Sequence, residues 1–127
     1  MKRVNFRSGS IWEDKVGYSR AVKVNNVIEV AGTTATKDGE ILGKGDPYQQ
    51  TEYILSQIDE ILRELGSEMT DVVRTRMYVV NINHWEEIGK AHYKFFKNIK
   101  PVATMVEVKS LIDPDLLVEI EVTAVMK

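Results

Sequence analysis

The chain has 127 residues, 43% of them apolar and 28% charged, with a formal net charge of −2 and no cysteine. The length suits one domain, residues 1–127, around one core; no run reaches the roughly 18 apolar residues of a membrane span, and no apolar stretch follows Met1–Asn5 to serve as a signal peptide, so a cytoplasmic protein is expected. Absent cysteine excludes disulfides and thiolate chemistry, and the acidic balance argues against nucleic-acid binding, which draws its affinity from clustered Lys and Arg.

Tyr18 to Val24 alternates apolar and polar residues as a strand does, and Val27–Gly32 follows the turn pair Asn25-Asn26. Two antiparallel strands are predicted there, with a third short strand at Ile41-Leu42-Gly43 after the turn Lys37-Asp38-Gly39-Glu40. Asp46 then caps a helix that starts at Pro47, with Gln49 placed to reach back to the cap. Thr51, Ile54, Leu55, Ile58, Ile61, Leu62 and Leu65 form its apolar stripe, and Gly66 ends it.

Asp71 to Val80 returns to alternation, with Val73, Thr75, Met77 and Val79 on one face and Arg74, Arg76 and Tyr78 on the other. Asn83 is the expected cap of a second helix running to about Phe96, whose stripe is Trp85, Ile88, His92, Phe95 and Phe96; Pro101 bars its continuation. The last two strands, Ala103–Val108 and Leu117–Met126, flank the turn tetrad Ile112-Asp113-Pro114-Asp115. Helices interspersed among strands, each with an apolar stripe, predict an α+β domain of two layers: one mixed sheet with both helices on one face.

In the last strand Val118, Ile120, Val122, Ala124 and Met126 belong under the helices, which turns Glu119 and Glu121 to the other side. The same parity puts Glu29, Arg74, Arg76 and Glu107 there, beside Ala31, Tyr78, Val80 and Met105. Charges of both signs mixed with Tyr and Met suit an interface between copies better than open water. The alternative is an ordinary solvated sheet face.

Pro101-Val102-Ala103-Thr104-Met105-Val106-Glu107-Val108, followed by Leu117-Val118-Glu119-Ile120-Glu121, resembles the closing signature of the RidA/YjgF family of reactive imine and enamine deaminases. That signature reads approximately Pro-Ala-Arg-Ser-x-Val-Glu-Val, then Val-Glu-Ile-Glu. The resemblance implies a chorismate-mutase-like fold assembled as a homotrimer, with small metabolites bound in clefts between subunits and no cofactor. Glu119 matches the family's acidic residue, which holds and polarises the attacking water. Tyr18, in a segment similar to the family's Gly-Pro-Tyr, and Gly32 and Thr33, in a segment similar to Ser-Gly-Gln, belong to the implied substrate-binding set with Ala103, Thr104 and Met105.

Two departures stand out. Ala103 occupies the place of the arginine that clamps the substrate carboxylate, and Gly89 stands where many members carry asparagine. No alanine replaces a bidentate guanidinium. Arg76, whose parity points it to the face of Glu119, is a candidate substitute. The resemblance therefore implies either a deaminase of altered or reduced activity or a non-catalytic metabolite-binding or regulatory trimer. A ribonuclease or translation-inhibitor role, attached to some relatives, is disfavoured by the acidic balance. His84 and His92 have no acidic partners at zinc spacing, and Gly43-Lys44-Gly45-Asp46-Pro47 lacks the ending of a phosphate loop, so neither a metal nor a nucleotide is implied.

Overall fold

The computed structural model describes residues 1–127. In chain order the elements are β1 (Arg3–Phe6), α1 (Ile11–Val16), β2 (Ala21–Val24), β3 (Val27–Thr33), β4 (Thr36–Lys37), β5 (Glu40–Ile41), α2 (Pro47–Glu64), β6 (Val72–Val79), α3 (Trp85–Phe96), β7 (Val102–Glu107) and β8 (Val118–Val125). Six strands form one mixed sheet in the order β1-β2-β3-β8-β6-β7, antiparallel except for the β6–β7 pair. The crossover through α3 allows that parallel pairing. The third strand expected near Ile41 belongs instead to a separate two-stranded ribbon, β4–β5.

The long helix begins as its residues require. Asp46 accepts a hydrogen bond from the Gln49 N–H at 3.0 Å and Pro47 is the first helical residue, although the Gln49 side chain makes no return contact. Ile54, Leu55, Ile58 and Leu62 are fully buried against Ile28, Val118, Ile120, Val122 and Ala124 of the sheet. Burying each side chain of this size stabilises the fold by about 1.5–3 kcal/mol before entropy is counted. The two-layer expectation holds, and the core is the seam between α2, α3 and one face of the sheet.

Four local expectations are overturned. A bulge between Val72 and Arg74 shifts the register of β6 against β8, so Val72 is buried while Val73 is 45% exposed. The cap near α3 is Asn81, which accepts from the Asn83 N–H at 3.0 Å at the start of a 3-10 turn; α3 begins only at Trp85, which is 58% exposed rather than in the stripe. In the parallel pair Met77 lies beside Met105 and Val79 beside Glu107, so Met105 and Glu107 share the helix side and not the open side of the sheet. Met105 accordingly packs against the core.

β1 and α1 went unpredicted. Their signal was legible at Ser10 and Glu13, a serine with a glutamate three residues on. Ser10 caps α1, whereas the buried Glu13 carboxylate turns to Ser8, accepting from its backbone N–H and its hydroxyl.

Gln50 ties the end of the chain to the helical layer. Fully buried on α2, its amide donates to the Asp115 carbonyl at 3.0 Å and accepts from the Leu117 N–H at 2.8 Å, which fixes the entry of β8 two residues before Glu119. Replacing Gln50 by Leu leaves those backbone groups without partners. The expected loss is roughly 1–3 kcal/mol for each group left unpaired, measurable as a lower midpoint in urea unfolding.

Candidate functional site

Because Val118, Ile120, Val122 and Ala124 bury under the helices, Glu119 and Glu121 must stand on the open face of β8. β3 runs beside it and carries a bulge: Val30 pairs with Val122 and Thr33 with Ile120, so Ala31 and Gly32 together oppose Glu121. Glu119 lays its carboxylate across the α-carbon of Gly32. A β-carbon there would overlap the Glu119 Oε2 atom and come within 2.9 Å of the carboxyl carbon. The carboxylate keeps this position only while residue 32 is glycine.

Arg20 approaches from the edge of β2. Its Nη2 donates to the Gly32 carbonyl at 2.6 Å, and its guanidinium carbon lies 5.9 Å from the centre of the Tyr18 ring. Burial raises the Glu119 carboxyl above its ordinary value; the nearby Arg20 charge lowers it and Glu121 raises it further, so desolvation prevails. A half-buried carboxyl poised in this way can both take up and return a proton.

Tyr18, Gly32 and Glu119 thus come together on one patch. Arg76 shares the open face but lies opposite Glu121 and Thr104, while Tyr78 is the residue facing Glu119 and donates its hydroxyl hydrogen to Glu121 at 2.7 Å. Thr33 turns to the helix side, 5% exposed, with its hydroxyl bonded to the Ala31 carbonyl. Ala103 also lies on the helix side, paired with the buried Thr75, whose hydroxyl meets His92 Nε2 at 2.9 Å. His92 packs on Phe96 with ring centres 4.6 Å apart, and burial depresses its pKa. Gly89 lies three residues before His92 on α3.

Two findings follow. Positions 89 and 103 lie on α3 and β7, whereas Glu119 is on the other face of the sheet and two strands from β7. Arg20, absent from the predicted set, is the cation nearest in effect to Glu119. Strand parity carried its signal, since Tyr18 and Arg20 lie two residues apart. His84 and His92 enter no cluster of three or more metal-ligating side chains.

The family model described as Endoribonuclease L-PSP matches residues 12–126. A solved member of the YjgF/YER057c/UK114 family from Mycobacterium tuberculosis superposes with a TM-score of 0.89 at 45% identity, covering 98% of this chain and 100% of that one. The chain belongs to the YjgF/RidA family. A RutC family protein of Pyrococcus abyssi is 37% identical over 109 residues, 84% of each chain, and an uncharacterised protein of Streptomyces coelicolor is 38% identical over 118 residues, 93% of this chain and 88% of that one. The sheet and helix pair are accordingly the chorismate-mutase-like fold of YjgF proteins. No helix is long and apolar enough to cross a membrane.

Glu119 has consequences for stability. A carboxyl whose pKa is raised on folding contributes most below its unfolded value, near 4.5, and that contribution is lost as pH rises through the folded value. Glu119→Gln resembles the protonated form. It is expected to raise the melting temperature at pH 7 to 8, with the gain vanishing below about pH 4.5, as thermal unfolding across that range would show.

Proposed function

We propose that this chain is a hydrolytic deaminase of reactive imine or enamine intermediates, of altered specificity, working in clefts between the copies of a cytoplasmic homotrimer. The observation that carries the reading is the Glu119 carboxylate, half-buried over Gly32 with a pKa raised by desolvation. Water held by Glu119 attacks the imine carbon while the carboxylate takes a proton and the C=N electron pair moves to nitrogen. The protonated carboxyl returns that proton to nitrogen, giving the carbinolamine; the carboxylate then carries the hydroxyl proton to the amino nitrogen as the C=O bond forms and the C–N bond breaks, and the oxo product and ammonia leave.

The arrangement of groups in one chain supports a shared cleft. A groove of about 400 Å³ beside Tyr18 is bounded by Arg3, Asn5, Arg7, Asp14 and Ser19 and does not reach Glu119. In one chain Glu119 faces outward on the open side, while Ala103 and Met105 face the helix side of the β7 edge. A molecule touching both sets must bridge two copies, with Tyr18, Gly32 and Glu119 from one and the β7 edge from another. Exposed Val73, Val106 and Val125 among charged residues supply the apolar part of that interface.

Ala103 favours a second reading, a metabolite-binding trimer without catalysis, because losing a bidentate contact to a carboxylate removes about 1.5–3 kcal/mol. Ammonia release from enzymatically generated 2-iminobutanoate separates the two. Deamination predicts release above the uncatalysed rate that drops by at least about 100-fold in Glu119→Gln, and that also drops in Gly32→Ala, where the new methyl displaces the carboxylate. No acceleration by the native chain would leave the binding reading in force. Sedimentation equilibrium at micromolar concentration should give three chains per particle, and a strict monomer would end the shared-cleft mechanism.

A further inference from the structure

Arg20 is a half-buried guanidinium with little to do inside its own chain. Of its N–H donors only one, on Nη2, has an acceptor, the Gly32 carbonyl at 2.6 Å; the Nε–H is buried and has no partner. None of the four ion pairs within 4.0 Å involves Arg20. A buried donor left unmade carries a penalty of about 1–3 kcal/mol, and an arginine fork is shaped to receive two oxygens of one anion. The side chain is also held in place, by the Gly32 carbonyl at one end and the Tyr18 ring beside it.

We infer that Arg20 is the anion anchor of the Glu119 cleft, binding the carboxylate of a small 2-imino or 2-oxo acid and so taking over the task that Ala103 cannot perform. This rests on the proposed deaminase site and names its substrate class. The placement suits the chemistry, since Arg20 and Glu119 both flank Gly32 on the open face. A carboxylate on the guanidinium brings the neighbouring C=N carbon toward the Glu119 carboxylate, while the glycine leaves room for it. Arg20 makes no ion pair within 4.0 Å with Glu119, which leaves its fork open to a ligand carboxylate. Arg76 is less suited: it is exposed and lies two residue pairs further along, opposite Glu121.

The test is a calorimetric titration at low salt of the intact protein and its Arg20→Gln, Arg20→Lys, Arg76→Gln and Glu119→Gln variants with 2-oxobutanoate and with its neutral amide. The native chain is expected to prefer the acid. Arg20→Gln should weaken acid binding by about 10- to 100-fold, Arg20→Lys should fall between because it keeps charge without the fork, and Arg76→Gln should bind as the native chain does. Should Arg20→Gln prove unfolded by circular dichroism, Arg20→Lys decides alone, and native-like affinity in it overturns the assignment. The idea is also overturned by equal affinity for acid and amide, by no binding of the acid, or by an Arg20→Gln variant that lowers kcat while leaving the dissociation constant unchanged, the mark of a residue that merely positions Glu119. Arg20-dependent binding without ammonia release would sustain the anchor and sink the deaminase, whereas ammonia release indifferent to Arg20→Gln would do the reverse.

Discussion

The alternation of β8 constrains everything else. Val118, Ile120, Val122 and Ala124 are drawn beneath the helices because their apolar surface leaves water there, and strand geometry then obliges Glu119 and Glu121 to face the other way. An acidic residue is thus presented on the open side by the same force that builds the core. Its chemistry comes from the neighbouring strand. The bulge at Ala31–Gly32 and the missing side chain of Gly32 let the carboxylate settle onto the backbone, where partial loss of water raises its affinity for a proton.

Stability and function are divided between the faces. On the helix side polar groups are satisfied: Gln50 joins α2 to the entry of β8, the Thr33 hydroxyl meets the Ala31 carbonyl, and Thr75 meets His92. On the open side Arg20, Arg74 and Arg76 have no ion-pair partner within 4.0 Å in their own chain, and valines stand exposed among them. Such a surface is unfinished by the standards of an isolated domain.

Position 103 is an alanine, and the Arg20 guanidinium lies beside Gly32 and Glu119. A cleft handling an anionic substrate needs a fixed cation, and the Arg20 guanidinium, just before β2, would supply one. On the proposed reading, anchor and proton carrier would come from one chain and the edge carrying Ala103 and Met105 from a partner.

Local periodicity determined much of this protein from sequence alone. The stripe from Thr51 to Leu65, the Asp46–Pro47 helix start, the hairpin at Asn25-Asn26 and the outward direction of Glu119 all depend on residues within a turn or two of one another, and all were legible. Val73, Met105 and Glu107 were misplaced because a bulge or a parallel partner shifts parity without any mark in the strand's own pattern. Arg20 escaped notice because its meaning lies in Gly32 and Glu119, which reach it only when three strands are laid side by side. Spacing along a chain sets which side of an element is apolar; which elements meet, in what register, and therefore which charges share a pocket, is settled by cross-strand hydrogen bonding and the packing of the whole core.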